Sequence, residues 1–139
     1  MIKIERPPNF ERIVEVFPFA IKPGVIFAYG GDIYNPSAVE IPHALGRHEE
    51  LHQLRQSELT GGAQEWWDRY LTNPEFRYFE ELLAHAEEYR AQVSTFHDRN
   101  IRAALLTSTA RRLVAPLYNY QPPRTMQQAL KDLRKEIGL

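Results

Sequence analysis

The residues of this chain whose types and spacing can do chemistry together are His48, Glu49 and His52, in the run His48-Glu49-Glu50-Leu51-His52. On a helix, His48 and His52 stand one turn apart and both imidazoles leave the same face, which lets two histidines meet one tetrahedral Zn²⁺. Glu49 lies about 100° further round such a helix. There its carboxylate sits beside the metal's open position and takes a proton from water instead of ligating. This is the H-E-x-x-H arrangement of metal-assisted hydrolysis, with Glu49 as general base. The His and Glu content of the chain gives roughly a 2% chance of one such match, so the surroundings of the motif have to carry the reading.

A catalytic zinc site needs a third protein ligand and keeps its fourth position open. No further histidine lies close by, which points to a carboxylate on the next long helix. Glu81 is the first choice, with Glu80, Glu87 and Glu88 as rivals. Glu81, His85 and Glu88 share one face at i, i+4 and i+7, so His85 and Glu88 can orient a ligating imidazole from behind. The plain alternative is a solvated acidic face. Tyr118, in a loop rich in Pro and Tyr, is a second catalytic candidate, because a phenol there can donate a hydrogen bond to an oxyanion. Tyr120 reads as packing.

The elements that must position these groups follow from periodicity and punctuation. Short β-rich runs at 2–4 and 25–29, a helix over 10–17, and residues 33–34 and 39–41 on either side of Asn35-Pro36-Ser37 make up the β-containing N-terminal third. Gly30-Gly31 reverses the chain there. A first strong helix starts at Pro42, carries the motif and runs to Gln56; a second covers 63–71. Asn73 caps a third with Pro74 at N1, whose residues Phe76, Phe79, Leu82, Leu83, Ala86 and Tyr89 form an apolar face. A fourth helix runs from 98 to 114, and Thr125 caps a last one over 126–137. The expected fold is a single α+β domain over residues 1–139, mostly helical, with a small antiparallel sheet packed on the H-E-x-x-H helix. Of Trp66 and Trp67, at most one is expected to face the core. If residues 25–29 are an edge strand beside the motif helix, they can bind an extended peptide by strand addition; an interior strand is the alternative.

Composition narrows the function classes. Seventeen Lys and Arg against 18 Asp and Glu leave no bulk field for a polyanion, so no nucleic-acid partner is expected. The absence of Cys removes disulfides, thiolate nucleophiles and Cys-built zinc fingers. No apolar stretch is long enough to span a bilayer and the N-terminus has no secretory h-region, so a soluble, cytoplasmic protein is expected. His43 and His97 lack partners at ligand spacing. The Arg99, Arg102, Arg111 and Arg112 face is most simply solvated, with a partner's acidic surface as the alternative.

The runs Ile33-Tyr34-Asn35-Pro36, Arg47-His48-Glu49-Glu50-Leu51-His52-Gln53, Trp66-Trp67-Asp68-Arg69-Tyr70-Leu71, Phe76-Arg77, Glu81-Leu82-Leu83-Ala84-His85 and Pro116-Leu117-Tyr118 together resemble small zincin-like proteins encoded by bacteriophages and prophages. The likeness spans about residues 24 to 130, and H-E-x-x-H is its one specific motif. It implies a minimal gluzincin, with His48, His52 and Glu81 on zinc and Glu49 as base. His85 departs from it, standing where the relatives are expected to carry Tyr. A phage setting is also implied, in the host cytoplasm or the virion, with a peptide or protein substrate or phage structural proteins as partners. Two functions are therefore expected to compete: a zinc metallopeptidase, and a non-catalytic, zinc-stabilised component of a phage particle. The third possibility is that the motif is a surface coincidence.

Overall fold

The N-terminal strand β1 (Ile2–Lys3) leads through helix α1 (Phe10–Val16) and a 3₁₀ turn (Pro18–Ile21) to the hairpin β2 (Phe27–Tyr29) and β3 (Asp32–Tyr34). The helices α2 (His43–Ser57), α3 (Gly62–Thr72), α4 (Pro74–Val93) and α5 (Arg99–Leu113) follow. A second 3₁₀ turn (Pro116–Tyr118) then precedes α6 (Met126–Ile137). This is a computed structural model, and it describes all residues 1–139. The architecture is α+β and mostly helical. No helix is long and apolar enough to cross a membrane.

The expected helix boundaries hold to within two residues, because their punctuation is chemical. The Asn73 side chain accepts from the amides of Glu75 and Phe76, Asp98 from those of Asn100 and Ile101, and Thr125 from that of Gln128. Each satisfies amides that a helix start leaves without partners. The sheet departs from expectation in two ways. It is mixed, in the order β1-β3-β2, since β1 pairs parallel to β3 while β2 pairs antiparallel to it. The N-terminal ammonium reaches Gly31 O, and Lys3 pairs with Asp32, which holds the first residues along β3. Residues 39–41 form no strand, because the Asn35 side chain takes both backbone groups of Val39 and closes a loop instead.

Two apolar clusters flank a polar seam. One gathers Ile13, Phe17, Phe27, Trp66, Trp67 and Tyr70 between the N-terminal segment, the hairpin and α3. The other gathers Tyr78, Leu82, Leu106, Leu113, Tyr120 and Leu133 between α4, α5 and α6. Between them α2 packs along α4 with its polar side inward. The buried residues of α2 are His48, Glu49, His52 and Gln56, whereas Leu54 is 54% exposed. On α4 the buried set includes Arg77, Glu80, Glu81, His85 and Glu88, and Phe79, expected on the apolar face, is 49% exposed. The acidic stripe of α4 is therefore buried, not solvated. Both Trp66 and Trp67 are buried too, because α3 is covered on two sides. The Trp66 indole donates to Glu80 and the Trp67 indole to Ala28 O, so neither N–H is stranded.

Candidate metal centre

The polar faces of α2 and α4 meet at three side chains. His52 Nε2 lies 3.2 Å from Glu81 Oε1, and His48 Nε2 lies 3.3 Å from Glu81 Oε2. One ligand atom from each of the three falls within 4.8 Å of the others, and all three residues are buried. The helical spacing of the motif produces this convergence, with the two rings at 4.9 Å and 84°. Glu81 is oriented from its other side by Tyr70, whose hydroxyl donates to Oε1 at 2.9 Å.

The rivals of Glu81 are engaged elsewhere. Glu80 is buried about 100° round α4 from Glu81, held by Arg55 and by the Trp66 indole at 2.6 Å. Glu87 pairs with Arg47 at the surface. Glu88 approaches the other nitrogen of His48, with Nδ1 to Oε2 at 3.1 Å, and is itself held by Arg112 at 3.1 Å. Arg112 thus belongs to the site rather than to a solvated basic face. His85 Nδ1 lies 2.7 Å from the carbonyl of Glu81; a carbonyl only accepts, so Nδ1 carries the proton and Nε2 is left with a lone pair. A second triplet, His48, His85 and Glu88, also has ligand atoms close together, and it shares His48 with the first.

Whether a metal fits is decided by the atoms left over. Glu81 Oε2 is buried with no hydrogen-bond partner, although His48 Nε2 faces it, and His52 Nδ1 is likewise buried without one. A buried carboxylate oxygen without a donor is costly unless a cation meets it. Three buried carboxylates, Glu49, Glu81 and Glu88, have one arginine in contact with them, Arg112. With both motif imidazoles neutral, as ligation requires, the excess of two negative charges is what a divalent ion matches. Two imidazoles and a carboxylate, with no thiolate, suit zinc.

The protonation states follow from the same geometry. Burial works against charge on His48, but the carboxylates of Glu81, Glu88 and Glu49 outweigh it and push its pKa up to about 10. Glu81 is held well below the ordinary carboxylate range, because the charges and contacts of His52 and His48 overcome its burial. Burial and the charge of His48 push His85 down to about 4, so it stays neutral. Burial raises Glu49, with the charges of His48 and His52 pulling the other way. Burial also raises Tyr118, followed by the charge of Glu81, so its phenol remains a donor.

These groups line one cavity of about 360 Å³, which also contains Glu49 and Tyr118. Tyr118 is set by the second 3₁₀ turn, which closes on Asn119 in the left-handed region at φ 49°, and its ring lies 5.9 Å from His85. The buried Arg77 fixes this loop by donating to the carbonyls of Tyr118 and Asn119, with its Nε on Tyr70 O. Tyr120 packs in the core with its hydroxyl on Leu113 O, as expected. Strand β2 is the edge strand on this side. Ile33 N bonds to Met1 O just before β1, so the Ala28–Ile33 pair is the non-bonded one of the hairpin ladder, and Ala28 turns its own N–H and carbonyl outward.

Tyr70, Arg77 and Gln53 stood in the runs that carry the resemblance and Gln56 at the end of the motif helix, but none of them was given a role of its own. Only Gln56 carried a readable signal, since it continues the His48, His52 stripe by one more turn of α2. Its side chain bonds Ala28 O and Gly30 N and so holds the hairpin on the helix. His43 is exposed at the start of α2, and His97 is exposed between α4 and α5. Compared with protein-family models, curated proteins and solved structures, the chain finds no match.

Proposed function

We propose that this protein is a zinc-dependent hydrolase of peptide bonds, with His48, His52 and Glu81 holding the ion and Glu49 acting as base. The observation that carries the reading is the convergence of both motif imidazoles on the one buried carboxylate of Glu81, His52 at Oε1 and His48 at the orphaned Oε2, in a cavity that also contains Glu49. A bound zinc ion supplies Lewis acidity, polarising a carbonyl and bringing the pKa of water down to about 7. Glu49 takes the proton from that water and returns it to the leaving nitrogen, a role suited to a carboxyl raised by burial. Tyr118 donates a hydrogen bond to the oxyanion that develops on the substrate.

Glu88 favours the catalytic reading over a purely structural zinc. It faces Nδ1 of His48, the nitrogen turned away from Glu81, and so orients a ligand instead of closing the coordination sphere. The phage setting implied by the resemblance, in virion or host cytoplasm, belongs to this same proposal, with a peptide or protein as substrate.

The test combines elemental mass spectrometry on untagged protein with turnover of a mixed peptide library. Wild type is expected to hold near one zinc per chain and the His48→Ala, His52→Ala double variant none. Glu49→Gln is expected to keep the metal and lose turnover by about 10²–10⁴-fold. Wild type that stays metal-free after zinc is added, or Glu49→Gln with unchanged turnover, overturns the reading.

A further inference from the structure

The cavity that contains the His48, His52 and Glu81 cluster has one polar wall, and its other walls are apolar. Of its 23 lining residues 15 are hydrophobic, and Phe17, Phe19, Val25, Phe27, Leu45 and Leu117 face the cluster from the N-terminal segment, β2, α2 and the Tyr118 loop. Leu117 at its rim is 44% exposed, so the cavity opens to the surface. Its one arginine, Arg112, is already engaged by Glu88, Ser108 and Thr109. No free arginine or lysine in the cavity therefore waits for an acidic side chain.

The edge of β2 restricts what else can hold a substrate. A strand-pairing peptide needs free carbonyls and amides along the edge, yet Ala28 O is taken by Gln56 and Trp67. Gly30 N and O are taken by Gln56 and Gln53. Phe27 turns its backbone groups to Tyr34, so within the strand only the N–H of Ala28 is left for pairing, with the residues that precede β2. Main-chain ladder bonds alone are then too few to select a substrate, whereas an apolar pocket of this size can take one large side chain.

We propose that this cavity receives one bulky apolar side chain, aromatic or branched aliphatic, from the residue adjoining the bond presented to the cluster. The protein then selects peptides by that side chain and not by an extended stretch of backbone. This rests on the hydrolase reading for the identity of the bond, and on the cavity itself for the side chain.

The experiment uses the full chain, zinc-loaded, and N-acetyl amino-acid hydroxamates with benzyl, methyl or carboxymethyl side chains, with affinities read by titration calorimetry. The benzyl compound is expected to bind about 10- to 100-fold more tightly than the methyl one, and the carboxymethyl compound weakest. Val25→Trp, which fills the cavity away from the proposed ligands, is expected to keep its zinc and lose most of the benzyl advantage. If that variant fails to fold, the wild-type series still decides. Equal affinity for the three compounds overturns the pocket and leaves the zinc reading standing. In a separate arm, indole is titrated into metal-free protein and the indole N–H resonances of Trp66 and Trp67 are followed. Shifted resonances in a chain that takes up no zinc support the pocket and remove the hydrolase reading. No response to indole and none to the hydroxamates overturns the pocket.

Discussion

His48 lies between two carboxylates, Glu81 at 3.3 Å from Nε2 and Glu88 at 3.1 Å from Nδ1, which push its pKa up from 6.5 to about 10. A group whose pKa rises on folding contributes stability that is fully present below its unfolded pKa and disappears as pH climbs through its folded one. The full contribution is about 5 kcal/mol, at about 1.4 kcal/mol per tenfold in the proton equilibrium. Of this, about 4 kcal/mol remains at pH 7 and about 1.5 kcal/mol at pH 9, so roughly 2.5 kcal/mol is lost between them. Glu81 is the partner in the same contact, and its lowered pKa describes the same energy, so it is counted once. The assay is urea unfolding in the presence of a chelator from about pH 7 to pH 9, for wild type and for His48→Asn. The difference between the two should shrink by about 2.5 kcal/mol over that range. Zinc reverses the sign, because it requires a neutral His48: its apparent affinity should strengthen as pH rises, with His48 releasing a proton on binding. A wild-type minus variant difference that stays constant within about 0.5 kcal/mol refutes the assignment of an imidazolium between two carboxylates.

Glu88→Gln should weaken zinc binding by about 10- to 100-fold, because it removes the carboxylate that orients His48, and competition with a fluorescent chelator measures this. Glu80→Gln should leave zinc affinity unchanged but cost about 3 kcal/mol in unfolding free energy, since Arg55 and the Trp66 indole lose their shared partner. Tyr118→Phe should keep the metal and lower kcat by about 10²-fold with little change in KM, in steady-state assays on whichever library peptide is cleaved. Asn73→Ala should destabilise the fold by about 1 kcal/mol without altering zinc content, as it removes the cap on Glu75 and Phe76 alone.

The parts of the fold legible in the sequence were those written in short-range chemistry. Asn73-Pro74, Asp98 and Thr125 mark helix starts by local hydrogen bonds, and the spacing of His48 and His52 presents a face by helical geometry. What depended on distant partners was not legible. Nothing near Ile2 says that β1 will lie parallel to β3, because that pairing joins residues some thirty positions apart. Residues 39–41 read as a strand by composition, and the competing bond from Asn35 decides otherwise. The position of Glu81 was legible as one of four carboxylates, but the choice among them lies with Arg55, Arg47 and Arg112, which draw Glu80, Glu87 and Glu88 to other contacts.

The burial of Phe79 was misread for a reason that bears on function. Periodicity assumes that the apolar face of a helix is the inner one. Where α2 and α4 meet the inner face is polar and Leu54 and Phe79 stay outside, while Tyr78, Leu82 and Tyr89 of α4 are buried on its other side against α5 and α6. Such an inversion is costly for a chain of this length, because every buried carboxylate and imidazole gives up its hydration. Some of that cost is offset by the contacts of Glu80 with Arg55 and Trp66, and of Glu88 with Arg112 and His48. The part that is not offset is concentrated in one place, at Glu81 Oε2 and His52 Nδ1. In the metal-free chain the proton on His48 supplies the nearest positive charge to that oxygen, so proton and metal compete for the same carboxylate. The inverted faces, the orphaned oxygen and the raised His48 are thus three consequences of one arrangement, a buried anion placed where two helix-borne imidazoles converge.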